Sequence, residues 1–316
     1  MLPPPFAVLY VLCLSLSLGS VEFLRRDAPP DEPDASPLPV AGVRVAMPPK
    51  PDGVRPVQGQ PGERFTERGC QAMGGTFRDV CFHQLARQRA ATDLPGAREA
   101  CAEVARPRTR HECTSDVAEL HAREDRATAL AICPEIPRKK WRDQCVFGIA
   151  LTTVETSPSA AFSLCDQAGM WRDFCRHDVN GETAVRDVDL ALANCAAEQG
   201  NRLTRVSCWH GIGKYIARKS VDRALAACRQ VPAGIYRENC AHGLGWGGAE
   251  GAGTAMATTC DDAGEVADSC RLGVAYNQRR FDIDASLAIC ADIRRRDLRG
   301  QCEVFVRTGV IRGSSG

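Results

Sequence analysis

The chain has 316 residues with 40 Lys+Arg against 39 Asp+Glu, and a formal net charge of +1 excludes a whole-protein field for nucleic acid or acidic membranes. Hydrophobic residues at 44% exclude wholesale disorder, and aromatics at only 6% require a core of Ala, Leu, Val and Ile. Seventeen cysteines exclude an ordinary reduced cytosolic enzyme and point to an oxidising compartment or to metal clusters.

Residues 6–20, FAVLYVLCLSLSLGS, form an apolar run of signal-peptide length, with small residues Ser17 and Gly19 before a cleavage point. The expectation is a signal peptide over residues 1–20 and a secreted, periplasmic or cell-surface product. The alternative is an uncleaved anchor reaching Leu24, the only membrane association the sequence suggests. Its positive flank, Arg25-Arg26, would hold the cysteine-rich body in the cytosol, which conflicts with the cysteine count. Residues 21–62 are rich in Pro, Asp and Gly and read as a disordered linker. Residues 63–310 form the body, and 311–316 a flexible tail.

Removal of Cys13 with the leader leaves 16 cysteines. Counted along the body, their separations alternate between a constant 20 and a short spacing of 10 to 13. This is an internal repeat of 30–33 residues running eight times, the signature of an array architecture.

The first cysteine of each pair follows an Ala/Leu phrase such as ATALAIC or DRALAAC. Ala97, Ala129, Ala161, Ala191 and Ala224 lie four residues before it, and Leu130, Phe162, Leu192, Leu225 and Leu287 three before it. Val104, Ile136, Val231 and Ile293 lie three after it. Spacings of three and four mark one helical face, so this is helix A, about 10 residues long, with caps expected at Asp125, Ser157, Ser220 and Asp284. Around the second cysteine, the residue four after is always apolar: Leu85, Val117, Ile149, Val179, Ile212, Leu244, Val274 and Val306. Phe77, Trp141, Trp171, Tyr236, Val266 and Leu298 lie four before it, which makes helix B with its cysteine on the buried stripe. Turn residues between A and B include Pro134, Gly169, Gly200, Gly234 and Gly264.

Metal sites usually need ligands two to four residues apart, and the chain has no CxxC. Without CxxC, thiol–disulfide redox chemistry is also disfavoured. Disulfides fit better. Bridging the constant separation of 20 would make seven bonds and strand Cys70 and Cys302. Bridging the short separations uses all 16: Cys70–Cys81, Cys101–Cys113, Cys133–Cys145, Cys165–Cys175, Cys195–Cys208, Cys228–Cys240, Cys260–Cys270 and Cys290–Cys302. The expected fold is therefore an all-α, right-handed α-solenoid of about eight disulfide-linked helical hairpins.

Arg recurs three residues before the B cysteine at Arg78, Arg110, Arg142, Arg172, Arg205, Arg237 and Arg299, often followed by Asp or Glu. Such a series either bonds helix-end carbonyls and neighbouring carboxylates or makes a stripe for an anionic ligand. His recurs two after the B cysteine at His83, His177, His210 and His242. At a helix-packing distance of about 10 Å, equivalent imidazoles would stand too far apart to share a metal. The Gly-rich phrase 239–253 is unusual for a helix and is expected to shape a pocket, with Trp209, His210, Lys214, Tyr215, His242 and Trp246 nearby. Those six, with Arg172, Arg205 and Arg237, are the candidate ligand-binding residues. His111 and His121 are expected at the surface. No phosphate loop, GxSxG or HExxH is present, so no catalytic residue, metal or cofactor is assigned.

Two cysteines per helical hairpin, repeated in an exported chain, resemble the secreted cysteine-rich Sel1-like repeat proteins, relatives of the tetratricopeptide solenoids. The resemblance covers residues 63–310 and is architectural: in that family the cysteines lie closer together and the period is nearer 36. It implies a curved superhelix that binds partners. The resulting expectation is an exported non-enzymatic binding or scaffold protein with a protein, peptide or anionic ligand in a repeat-built groove, and no nucleic-acid partner. The alternative is a metal- or ligand-dependent enzyme centred on residues 208–253.

Overall fold

The computed structural model describes residues 65–310. The signal peptide, linker and tail expected from the sequence lie outside the described residues. The described residues contain sixteen α-helices and no strand. The A helices are α1 (Glu67–Gln71), α3 (Leu94–Ala102), α5 (Arg126–Ile132), α7 (Pro158–Leu164), α9 (Val188–Ala197), α11 (Val221–Gln230), α13 (Met256–Thr259) and α15 (Ile283–Ala291). The B helices are α2 (Gly75–Arg89), α4 (Pro107–His121), α6 (Lys139–Thr153), α8 (Arg172–Arg186), α10 (Arg202–Ala217), α12 (Ile235–Ala252), α14 (Ala267–Gln278) and α16 (Arg296–Thr308). Each B helix packs on the next B helix, so the even-numbered helices form one continuous layer. A helices lie against that layer, each in contact with its own B helix and most with the preceding one.

All eight short-separation cysteine pairs are bonded, with Cα–Cα distances of 5.3–5.6 Å. The A helices explain why a bond is needed. They run to only 4–10 residues, well short of the length at which an isolated helix holds itself in water. Their contribution to the core is small side chains: the five Ala residues four before the cysteine are fully buried. Closing a loop of this size contributes about 3 kcal/mol by restricting the unfolded chain.

The B stripe is as expected: all eight residues four after the B cysteine have 0% exposure. Phe77 departs from it. It is 78% exposed and lies in the first described hairpin, α1 and α2, with no earlier hairpin among the described residues. Two capping expectations also change. Asp125 and Ser220 accept from backbone N–H groups as anticipated, but Ser157 occupies its N-cap without a side-chain bond. At α15 the cap is Asp282, which accepts from the Ala285 N–H, and Asp284 falls within the first turn.

The recurring Arg and Asp close the turns. Arg110, Arg237 and Arg299 donate from Nε to the carbonyls of Val104, Val231 and Ile293, each six residues back, at 2.7–2.9 Å. An acid two residues before the B cysteine reaches the backbone of the following hairpin in three repeats. Asp79 accepts from the Ala105 and Arg106 N–H groups, Asp143 from that of Met170, and Asp268 from that of Arg295. The two devices fall in different repeats: Arg110, Arg237 and Arg299 fix their own turns, whereas Asp79, Asp143 and Asp268 fix the next one, where Arg78 also reaches the Glu103 carbonyl. In the two hairpins with the shortest bridge, Gly169 and Gly264 take φ of 50° and 61°, a conformation that side chains other than Gly rarely adopt.

Peptide mapping without reduction should recover the eight short-range bonds. A single bond between cysteines 20 apart would overturn this hairpin arrangement.

Candidate functional site

Four B helices, α8, α10, α12 and α14, approach one another more closely than side chains normally permit. A Cβ on Gly211 would lie 2.2 Å from the His177 carbonyl oxygen, and one on Gly243 would lie 2.1 Å from that of His210. Gly213, Gly245, Gly247 and Gly273 meet neighbouring backbone at similar range. At these glycines the backbone of adjacent helices fills the space that side chains would take. Interior glycines cost about 1 kcal/mol each in helix propensity, which direct backbone contact and close packing offset.

This approach overturns the 10 Å spacing expected for the histidines. The His177 and His210 ring centroids stand 5.0 Å apart, and those of His210 and His242 5.2 Å. The rings bond in series: His177 Nε2 to His210 Nδ1 at 2.8 Å, and His210 Nε2 to His242 Nδ1 at 3.2 Å. His177 Nδ1 donates to Asp178 Oδ1. A carboxylate at that end is acceptor-only, so the series has one consistent polarity: each Nδ1–H donates outward and each Nε2 accepts from the next ring. The ring nitrogens that link the series are directed at one another, and among the described residues no group of three or more His, Cys, Asp or Glu is placed to hold a metal ion.

Electrostatics match neutral imidazoles. Burial lowers the pKa of all three, with His210 pushed further by His177 and His242, and His242 down to about 3. His210 and His242 have no exposed surface. Lys214, 1% exposed, sits one helical turn beyond His210. Burial brings its pKa down to about 8, against the opposing pull of Asp178 and Glu250. Burial also opposes ionisation of Asp178, but hydrogen bonds from His177 and Tyr215 with the charge of Lys214 outweigh it, so the carboxyl stays below its usual range. At the outer end Arg218 lies over the Tyr215 ring and grips Glu250 through two bonds of 2.7 and 2.9 Å. At the inner end His242 meets the Tyr276 ring edge-on and Trp246 at a tilt.

Of the candidate residues, His210, Lys214, Tyr215, His242 and Trp246 come together here. Trp209 instead packs on Tyr236. Arg172, Arg205 and Arg237 lie at the hairpin turns; Arg172 pairs with Asp166, and Arg237 with the Val231 carbonyl and Glu265. Asp178, Arg218, Glu250 and Tyr276 belong to the cluster and carry no repeat signature. His83 pairs separately with Asp116 at 3.0 Å. His111 and His121 are half-buried rather than at the surface, and His121 bonds the Ala90 carbonyl across the helix layer. No protein family, curated protein or solved structure matches the chain.

Two expectations follow. A buried imidazole with a lowered pKa takes up its proton more readily in the unfolded chain, so stability falls as pH drops below about 6.5. The slope is about 1.4 kcal/mol per pH unit for each such ring, and His242 continues to contribute down to about pH 3. His242→Leu, copying Leu272 at the same place in the next hairpin, should flatten chemical-denaturation stability against pH by about one proton; an unchanged slope would contradict this account. Gly243→Ala should cost about 3 kcal/mol, whereas Gly251→Ala, whose Cβ meets nothing within 4 Å, should be neutral or stabilise by up to about 1 kcal/mol.

Proposed function

We propose that the chain is an exported, non-enzymatic binding or scaffold protein whose partners dock on the repeat-built surface of its hairpin array. The observation that carries this reading is the sealing of its most reactive cluster. His210, His242 and Lys214 are at most 1% exposed and are used on one another and on Asp178, so their chemistry is spent inside the helix layer. All 16 cysteines of the body are likewise consumed in bonds. What remains for function is the surface of eight rigid units, the property by which repeat arrays bind extended partners.

Eight disulfides support an oxidising compartment, and no helix among the described residues is long and apolar enough to cross a membrane. Export through the N-terminal apolar run, and right-handed curvature of the array like that of Sel1-like and tetratricopeptide solenoids, belong to the same proposal. The partner is a protein, peptide or anionic ligand.

The test is affinity capture from secreted or periplasmic fractions with the oxidised full chain, followed by binding of the purified partner. Binding should be lost on reduction and retained by His242→Leu. Loss in the folded His242→Leu variant, together with stoichiometric metal in the purified protein, would instead establish the enzyme reading centred on residues 208–253.

A further inference from the structure

Every junction between one hairpin and the next is built alike. A space is bounded by the end of helix A, by the first half of helix B, and by the turn of the following hairpin. At six of the seven junctions between described hairpins the residue immediately after the B cysteine marks whether the space is filled or open; the third places the half-buried Val146 there. Four repeats place a large side chain there, and each buries itself: Phe82, Arg176, Trp209 and Arg271 are 0, 6, 3 and 8% exposed. Phe82 lies under the Arg78 guanidinium, which reaches the next turn at the Glu103 carbonyl. Arg176 lies over the Phe162 ring and pairs with Glu198 of the next hairpin at 3.2 Å. Trp209 packs on Tyr236 of the next hairpin.

Thr114 and Ala241 hold the same position in repeats two and six, and there the space stays open. The cavities measure about 250 Å³ and about 150 Å³. They have matching linings. The first has a floor of Val117, Ile136 and Pro137 and a rim of Arg98, Arg110 and Glu135. The second has a floor of Leu225, Leu244 and Val266 and a rim of Arg229, Arg237 and Glu265. An apolar cavity of about 150 Å³ is large enough for a benzene-sized group. Each rim sets two guanidiniums against one carboxylate and so carries an excess positive charge. The rim pairs Arg98–Glu135 and Arg237–Glu265 are solvent-exposed, and pairs of this kind are worth about 0–1 kcal/mol. An incoming carboxylate can therefore compete for the guanidinium.

We propose that the junctions after repeats two and six are paired recognition sites for a benzene-sized apolar group bearing a carboxylate. This chemistry occurs in the C-terminal aliphatic residue of a peptide and in a free branched carboxylic acid. The proposal rests on the binding reading above and gives it two places on the surface.

The test uses the oxidised full chain with three probes: 4-methylpentanoate, an acetylated dipeptide ending in Leu with a free carboxylate, and 4-methylpentanamide. Binding is read by saturation-transfer NMR and calorimetry. Ala241→Trp copies the filled junction at Trp209, and Thr114→Phe copies that at Phe82. Both carboxylates should bind two sites, with the amide about tenfold weaker. Each single variant should remove one site and the double variant both. Tighter binding by either carboxylate supports the proposal and identifies the source. Arg98→Gln with Arg229→Gln, which leave the floors intact, should weaken both sites several-fold at unchanged melting temperature and hold the test open if a filling variant misfolds. Absence of binding by about 10 mM, or binding that survives the double filling variant, would overturn it. A chain that captures a partner yet binds neither carboxylate sinks the cavities while sparing the binding reading.

Discussion

A disulfide between the two helices of every hairpin is the constraint on which the rest of the fold depends. Helices such as α5 and α7, seven residues each, bring Ala and a few larger side chains to the core and cannot hold their place by burial alone. The bond fixes where each A helix meets its B helix and lets the turn between them vary from 10 to 13 residues of cysteine separation. With the hairpin set, an Arg can close its own turn and an Asp can reach the next one, so one local staple is propagated into register between neighbours.

That register permits the close approach of each of α8, α10, α12 and α14 to the next. Glycines at equivalent positions bring backbone against backbone, and the same closeness joins three histidines into a hydrogen-bonded series. Packing and polarity support each other here: buried imidazoles would be costly without partners, and the glycine contacts supply those partners by shortening the distance between helices. The cluster is a polar core element. The depressed pKa of each ring makes it an element whose protonation would oppose folding.

The cysteine ruler made the fold legible in the sequence, because a constant spacing of 20 and a variable spacing of 10 to 13 can be satisfied by one pairing without leftovers. Apolar residues four after each B cysteine were legible for the same reason. The candidate site was partly legible: repetition exposed His210 and His242, whereas Asp178, Arg218 and Tyr276 stand at positions where the repeats differ. The inter-helix distance was misjudged because an average packing distance was applied to a glycine-lined interface. Gly211 and Gly243, each directly after a histidine, were the signal for closer contact. The junction cavities were not legible, since only the structure shows that the position after each B cysteine faces the turn of the next hairpin.

Hydrogen exchange before and after reduction tests the central claim most directly. If the disulfides hold the A helices in place, reduction should strip protection first and most completely from α3, α5, α7, α9, α11 and α15, with the glycine-packed helices α10 and α12 the last to open. A reduced chain whose A helices remain as protected as in the oxidised protein would contradict the account.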